Sequence, residues 1–142
     1  MAEFLGGINE VIRRARRLQQ NASQLEKPVK KGGDVMLKSI RTNFAVGGRP
    51  KFTALAASTL KRKKGKQILV ESRGLRDSFE KAPSGNKIEV GTNAVHARRH
   101  HFGYKGKSGR GHSPTPARPY VSFQPEDIIS IGSLFRRHVI SR

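Results

Sequence analysis

The stretch that decides the fold class is residues 82–92, which read APSGNKIEVGT. Its first part, Ala82 to Asn86, contains the Pro, Ser, Gly and Asn that favour turns. In its second part Ile88 and Val90 alternate with charged neighbours, as in a half-buried strand. We therefore predict a β-hairpin with a loop at Ala82–Asn86 and a return strand at Lys87–Thr92. The outgoing strand is expected just before this loop, after a turn within Arg73–Phe79.

Amphipathic helices are predicted on the N-terminal side of the hairpin. Apolar residues recur at three- and four-residue steps over residues 4–25, which indicates a helix. Pro28 is expected to end it, because a proline disfavours helical backbone at the residue before it. A second helix is predicted to begin at Asp34, an N-cap residue type, and to stop at Gly47-Gly48, and Thr53 is expected to cap a short third helix.

The first helix allows two interpretations. Its apolar stripe could face the core, with Arg13, Arg16 and Arg17 on a solvated back. Alternatively the stripe could dock on a neighbouring subunit. Binding to a membrane surface would need a stronger aromatic anchor than Phe4.

The C-terminal part predicts one loop, one strand and two helices. A short helix is compatible with residues 94–102, and the Gly- and Lys-rich residues 103–116 form a long, mobile basic loop. Tyr120–Phe123 is predicted as a strand. A final helix is expected from Pro125, which suits a first helical turn.

These elements predict one α+β domain over residues 1–142, consisting of a small antiparallel sheet with N-terminal and C-terminal amphipathic helices and a long basic loop. Residues 1–48 form its N-terminal helical part.

Composition limits the possible functions. The 142 residues include 29 Lys or Arg against 10 Asp or Glu, a formal net charge of +19. A charge this large attracts nucleic acid or an acidic protein. The absence of Cys excludes disulfides, a thiolate nucleophile and a Cys-ligated zinc site. With no long apolar run and no signal-peptide pattern, we expect a soluble protein, without secretion and without a membrane partner.

The cationic excess is largest in the middle of the chain. Residues 52–112 contain 14 basic and 4 acidic side chains. They are expected to face DNA or an acidic partner, the alternative being an ordinary solvated surface. The candidates are Lys61, Arg62, Lys63, Lys64, Lys66, Lys105, Lys107 and Arg110.

No arrangement of residues predicts catalysis. His96 and His100 have the four-residue spacing of two zinc ligands, but a third ligand is lacking and Ala97 stands where a metalloprotease has Glu. The close acidic pairs fall at turns or helix starts. We therefore predict no metal, no cofactor and no enzymatic activity.

Five segments between residues 50 and 140 together carry a resemblance. They are Phe52–Leu60 with Lys63–Gly65, Ile68-Leu69 with Ser72, Gly74 and Ser78-Phe79, Val90–Asn93, Ala97–Gly103, and Pro116–Tyr120. In this order they resemble the phage virion morphogenesis family, the tail completion proteins of Mu-like phages. Phe52, His96 and His101 depart from the family's usual Trp, Tyr and Gln.

The resemblance implies a structural virion protein. It would assemble as a homo-oligomeric ring, a hexamer, at the tail end or neck and join head to tail. Its partners would be the tail tube or sheath, the head-tail connector and genomic DNA in the lumen; it would assemble in the host cytoplasm. Residues with an assembly or structural role are Phe52, Leu60, Gly74, Phe102, Gly103, Pro116, Arg118, Pro119 and Phe135, of which Arg118 is expected in a fixed salt bridge. The alternative is a basic, non-specific nucleic-acid-binding protein.

Overall fold

The computed structural model describes residues 2–106 and 114–140. Helices surround a single hairpin, so the predicted α+β class is confirmed. In chain order the elements are α1 (Ala2–Ser23), α2 (Glu26–Val46), α3 (Ala57–Arg62), α4 (Gly74–Asp77), β1 (Glu80–Ser84), β2 (Lys87–Gly91), α5 (Ala97–Phe102) and α6 (Pro125–Ile140).

The hairpin is antiparallel, with Glu80 opposite Gly91 and Ser84 opposite Lys87. The predicted return strand is confirmed. The prediction that Ala82–Asn86 is all loop was wrong, because β1 runs through Ser84 and only Gly85 and Asn86 form the turn. Pro83 is tolerated there because each strand of a two-stranded sheet has a free edge. Before β1 the chain forms the short helix α4.

Helix α2 begins eight residues before the predicted start at Asp34. Pro28 does not separate two helices, because it is the third residue of α2, where the backbone N–H has no partner within the helix. The helix also continues through the buried Gly32 and Gly33. A Cβ on Gly33 would lie 3.1 Å from Ile88 Cγ1, so this glycine lets β2 pack closely on α2. The predicted stop at Gly47 is confirmed.

The core is small and largely aromatic, in keeping with the modest apolar content. Phe44 stacks on Tyr120, with ring centroids 5.1 Å apart, and Phe79 meets both rings. Ile40 and Phe52 complete the cluster of buried residues. It therefore joins α2, the start of the hairpin and the segment before α6.

That last segment is not a strand, contrary to the prediction for Tyr120–Phe123. The Tyr120 carbonyl accepts a hydrogen bond from Asn43 Nδ2 at 2.9 Å, and its hydroxyl donates to the Ala97 carbonyl at 2.6 Å. The Asn43 side chain thus satisfies the Tyr120 carbonyl in place of a strand partner. Thr53 is not a helix cap either, since α3 begins after Ala56.

Helix α6 starts at Pro125 as predicted and is fixed by a buried carboxylate. Asp127 Oδ2 accepts a hydrogen bond from the Gln124 backbone N–H at 3.0 Å and another from Ser39 Oγ. The same side chain thereby caps α6 and ties it to α2. Arg49 adds bonds to Ser39 Oγ at 2.8 Å and Glu126 Oε1 at 3.0 Å.

Replacing Asp127 with Ala is expected to lower the free energy of unfolding by about 1–2 kcal/mol. The variant removes the acceptor of two hydrogen bonds, one from the Gln124 backbone N–H at the start of α6 and one from the buried Ser39 hydroxyl. Urea unfolding followed by circular dichroism measures the loss. Glu126→Ala is the control, with less than about 1 kcal/mol expected because the Glu126 side chain in its ion pair with Arg49 is largely exposed. Equal losses in the two variants would contradict the role of Asp127.

Candidate interaction surfaces

Helix α1 exposes the face that was expected to be buried. All residues from Ile8 to Gln20 are exposed, with Val11 at 67% and Ile12 at 42%. The helix is attached near its end, where Asn21 Nδ2 donates to the Val139 carbonyl at 3.2 Å and the His138 ring contacts the Gln24 carbonyl at 2.7 Å. The core-facing interpretation was wrong for residues 8–20, because none of their side chains is buried. We call the exposed apolar residues the α1 stripe; they are Ile8, Val11, Ile12, Ala15 and Leu18.

A second exposed apolar surface lies where α6 begins. Ile129 is 69% exposed, and Phe123 and Ile128 are also exposed. These three residues, here called the α6 patch, come from one short segment. The α1 stripe and the α6 patch are therefore two different apolar surfaces outside the core, and Val95 and Phe102 are further exposed apolar side chains among the described residues.

The residues predicted to have an assembly or structural role differ in how far they are buried. Phe52 and Arg118 are buried and Phe135 is half-buried, so these three pack within the subunit. Phe102 is 72% exposed. Leu60, Gly74, Pro116 and Pro119 are also exposed, and Gly103 is half-buried.

The cationic run extends from the last turn of α3. Lys61 and Arg62 are in that turn, where positive charge complements the helix dipole. Lys64 and Lys66 follow and are exposed, as is Lys105 further along the chain. Lys63 differs, because it is half-buried and its Nζ donates to the Gln67 carbonyl. The candidates Lys107 and Arg110 lie outside the described residues.

Lys63 lines a cavity of about 770 Å³, which we call the basic cleft. Residues 54–63, 69–75, 94–100 and 114–118 supply its walls. Its basic lining residues come from all four of these segments, and Glu71 is the one carboxylate among the described residues that line it. The lining cations are Lys63, Arg73, Arg99 and Arg118, and His96 and His100 also line the cleft. Four of the five segments that carried the family resemblance thus contribute to one site.

Arg118 holds two walls of the cleft together. Its Nε donates to the Thr53 carbonyl at 2.9 Å and its Nη2 to the Ala54 carbonyl at 3.2 Å, while its backbone N–H donates to the His100 carbonyl at 2.9 Å. The expected salt bridge was wrong, because backbone carbonyls take the place of a carboxylate among the described residues. Burial lowers the pKa of the guanidinium.

The base of the predicted loop 103–116 is fixed. Tyr104 and Thr115 exchange two backbone hydrogen bonds, each of 2.7 Å. Arg99 Nε donates to Thr115 Oγ1 at 3.0 Å, and its guanidinium lies 5.0 Å from the centre of the Tyr104 ring. The prediction that this whole stretch is mobile was therefore wrong for its two ends. Residues 107–113 lie outside the described part of the chain.

The two histidines of α5, His100 and His101, are half-buried. Burial lowers the pKa of both His100 and His101, and the nearby Arg118 lowers that of His100 further. The Nδ1 atom of each ring is buried without a hydrogen-bond partner in the described structure. Burial therefore favours the neutral form of both rings. Within residues 2–106 and 114–140, no group of three metal-ligating side chains could hold an ion.

The described helices include none that is long and apolar enough to cross a bilayer. What the structure defines is a small, strongly basic α+β subunit with two apolar surfaces and a basic cleft. The model of the phage virion morphogenesis family matches residues 7–140, and the chain belongs to this family. The match extends to α1 and α2, beyond the segments that carried the resemblance.

Comparison with a curated relative supports that assignment, and comparison with solved structures adds nothing to it. The chain is 32% identical over 124 residues to a protein of Haemophilus influenzae called "Mu-like prophage FluMu G protein 2". The alignment covers 87% of this chain and 84% of that protein. No solved structure matches. The chain is thus a protein of bacteriophage virion morphogenesis.

Proposed function

We propose that this chain is a structural tail completion protein that assembles as a homo-oligomeric ring at the head-proximal end of the tail or in the neck, where it joins tail to head. The observation that carries the proposal is the uncovered α1 stripe. Family membership supplies the virion context. No catalytic step is part of this role.

The two apolar surfaces suit a ring. A head-to-tail contact uses different surfaces on its two sides, and it generates a ring when the rotation closes. The α1 stripe of one subunit and the α6 patch of the next would provide such a pair. Monomeric proteins seldom leave contiguous apolar surface uncovered, and α1 exposes several turns of it. We propose six subunits, as the resemblance to tail-end rings implies.

The charge requires counter-ions in such a ring. Each subunit carries a formal +19, so identical copies repel one another, and anions of the buffer, an acidic partner or DNA reduce this repulsion. Genomic DNA in the lumen would meet Lys61, Arg62, Lys64 and Lys66 through its phosphates without sequence readout. Tail tube or sheath and connector proteins are the proposed protein neighbours.

Native mass spectrometry with and without duplex DNA tests the proposal against the nucleic-acid-binding alternative, which the exposed cationic run favours. A ring of defined stoichiometry without DNA is the expected result. A chain that stays monomeric alone and changes mass only with DNA would support the alternative and contradict the ring.

A single carboxylate in the α1 stripe is expected to prevent assembly. Val11→Asp should weaken each subunit contact by roughly tenfold to a hundredfold, because it places a charge in an apolar interface. Asn9→Asp is the matched control, since it adds the same charge two residues away on the other side of the helix. Analytical ultracentrifugation measures both. Identical assembly of the two variants would exclude the stripe as the contact.

A further inference from the structure

We propose that the basic cleft binds an acidic, partly apolar peptide segment of another virion protein. The inference rests on the proposed function for the source of that peptide. It assigns the cleft a separate role from the α1 stripe, which contacts copies of the same chain. The argument uses the charge, the wall chemistry and the size of the cleft.

Charge selects an anion. The cationic side chains of Lys63, Arg73 and Arg99 come from three separate segments and line the same cavity, where Glu71 is the one carboxylate among the described lining residues. Their backbones belong to different elements, so the fold keeps three positive charges around one cavity. A bound anion relieves their repulsion, and carboxylates form short, strong hydrogen bonds with such groups.

Aliphatic side chains line part of the remaining wall, beside Thr59, Ser72 and Thr115, and they favour a peptide over nucleic acid. Leu55, Leu69, Leu75 and Ala94 line the cleft together with Pro114 and Pro116. Aliphatic side chains flanking a carboxylate would pack on this wall, whereas phosphates gain nothing from it. No Phe, Tyr or Trp is among the described residues of the lining. His and Arg side chains also stack on bases, so the experiment below includes a single-stranded oligonucleotide.

Size points the same way. At about 770 Å³ the cleft falls within the roughly 300–1,000 Å³ of sites for small ligands and side chains. A few residues of extended peptide fit such a volume. Duplex DNA, with its phosphates on a convex surface, instead meets the exposed run of Lys61, Arg62 and Lys64.

The occupant is expected from a different protein. The exposed helix of this chain, α1, carries Arg13, Arg14, Arg16 and Arg17, so its charge has the wrong sign for the cleft. Other copies of the chain carry the same net charge of +19, which favours a different protein as the occupant of the cleft. An acidic segment of a neighbouring virion protein has the complementary charge.

Binding of a synthetic peptide tests the inference. The probe is a short acetylated peptide in which Asp or Glu alternates with Leu, and its control replaces each Asp or Glu with Asn or Gln. Titration calorimetry on the full chain at physiological salt should detect the acidic peptide and not the amide control. Amide NMR signals of Ala94, His96 and Arg73 should shift during the titration.

Matched variants locate the site. Lys63→Gln combined with Arg73→Gln should weaken binding by roughly tenfold or more, since two charge-assisted contacts are lost. Lys61→Gln combined with Lys64→Gln removes the same charge from exposed positions outside the lining and should change affinity by less than about twofold. If the first pair unfolds, Lys63→Gln against Lys64→Gln repeats the comparison.

Two outcomes would overturn the inference. Equal losses in both pairs of variants would mean that the peptide senses only overall charge. An oligothymidylate that binds more tightly than the peptide, with the same dependence on Lys63 and Arg73, would assign the cleft to single-stranded nucleic acid.

Native mass spectrometry of the cleft variants distinguishes the cleft proposal from the ring proposal. A ring that does not bind the peptide contradicts only the cleft proposal. A monomer that binds the peptide contradicts only the ring proposal.

Discussion

Phe44→Ala is expected to lower the free energy of unfolding by about 3–5 kcal/mol, the usual loss when a buried phenylalanine is truncated. Phe44 is 0% exposed, and its ring meets those of Phe79 and Tyr120. The cavity cannot close easily, because these partners belong to distant segments that are fixed by other contacts. The free energy of unfolding of a whole domain is only about 5–15 kcal/mol, so much of the folded population would be lost at elevated temperature.

Urea unfolding at 25 °C, followed by far-ultraviolet circular dichroism, measures this loss. Phe102→Ala is the matched control, because the same side chain is removed from a position that is 72% exposed. Its expected effect on the monomer is within about 0.5 kcal/mol. If both variants lost the same stability, the aromatic cluster would not be the centre of the core.

Local chemistry was sufficient to predict the elements whose ends are set by their own residues. Gly47 ends α2, Pro125 opens α6, and the alternation of Ile88 and Val90 forms the return strand. In each case the deciding groups lie within a few residues of the boundary. The α+β class followed from these local signals.

Boundaries decided by distant contacts could not be predicted in this way. The continuation of α2 through Gly32 and Gly33 depends on α6 and β2 packing against it, which stabilises glycines that would weaken an isolated helix. Tyrosine is common in strands, but the carbonyl of Tyr120 accepts its hydrogen bond from the side chain of Asn43, 77 positions away. Tertiary packing overrode local preference at both places.

The candidate surfaces show the same division. The exposed run from Lys61 to Lys66 was predicted from its charge alone, apart from the half-buried Lys63. The basic cleft was not, because Arg73, Arg99 and Arg118 meet there from separate parts of the sequence. One signal in the sequence could have indicated the cleft. The segments that resemble the family are short and separated, which suggests that they meet at one place in the fold.

Gly103→Ala is expected to destabilise the protein by about 2–3 kcal/mol, because its backbone lies at φ 77° and ψ 176°, a region open almost only to glycine. A Cβ there would also lie 2.8 Å from the Ala117 backbone nitrogen and 2.9 Å from the Thr115 carbonyl oxygen. Backbone atoms cannot rotate away as a side chain can. The segment that carries Arg118 would have to move.

Gly47→Ala separates strain from contact. Gly47 has the same φ of 77°, but its ψ of 31° is allowed to other residues, and nothing lies within 4 Å of its added Cβ. We expect a loss of about 1 kcal/mol there. Thermal unfolding compares the two variants, and titration with the acidic peptide adds a second readout. Because Arg118 joins residues 53–54 to α5 across the basic cleft, Gly103→Ala should also weaken peptide binding, whereas Gly47→Ala should not. Equal stability losses with unchanged binding would show that Gly103 does not shape the cleft.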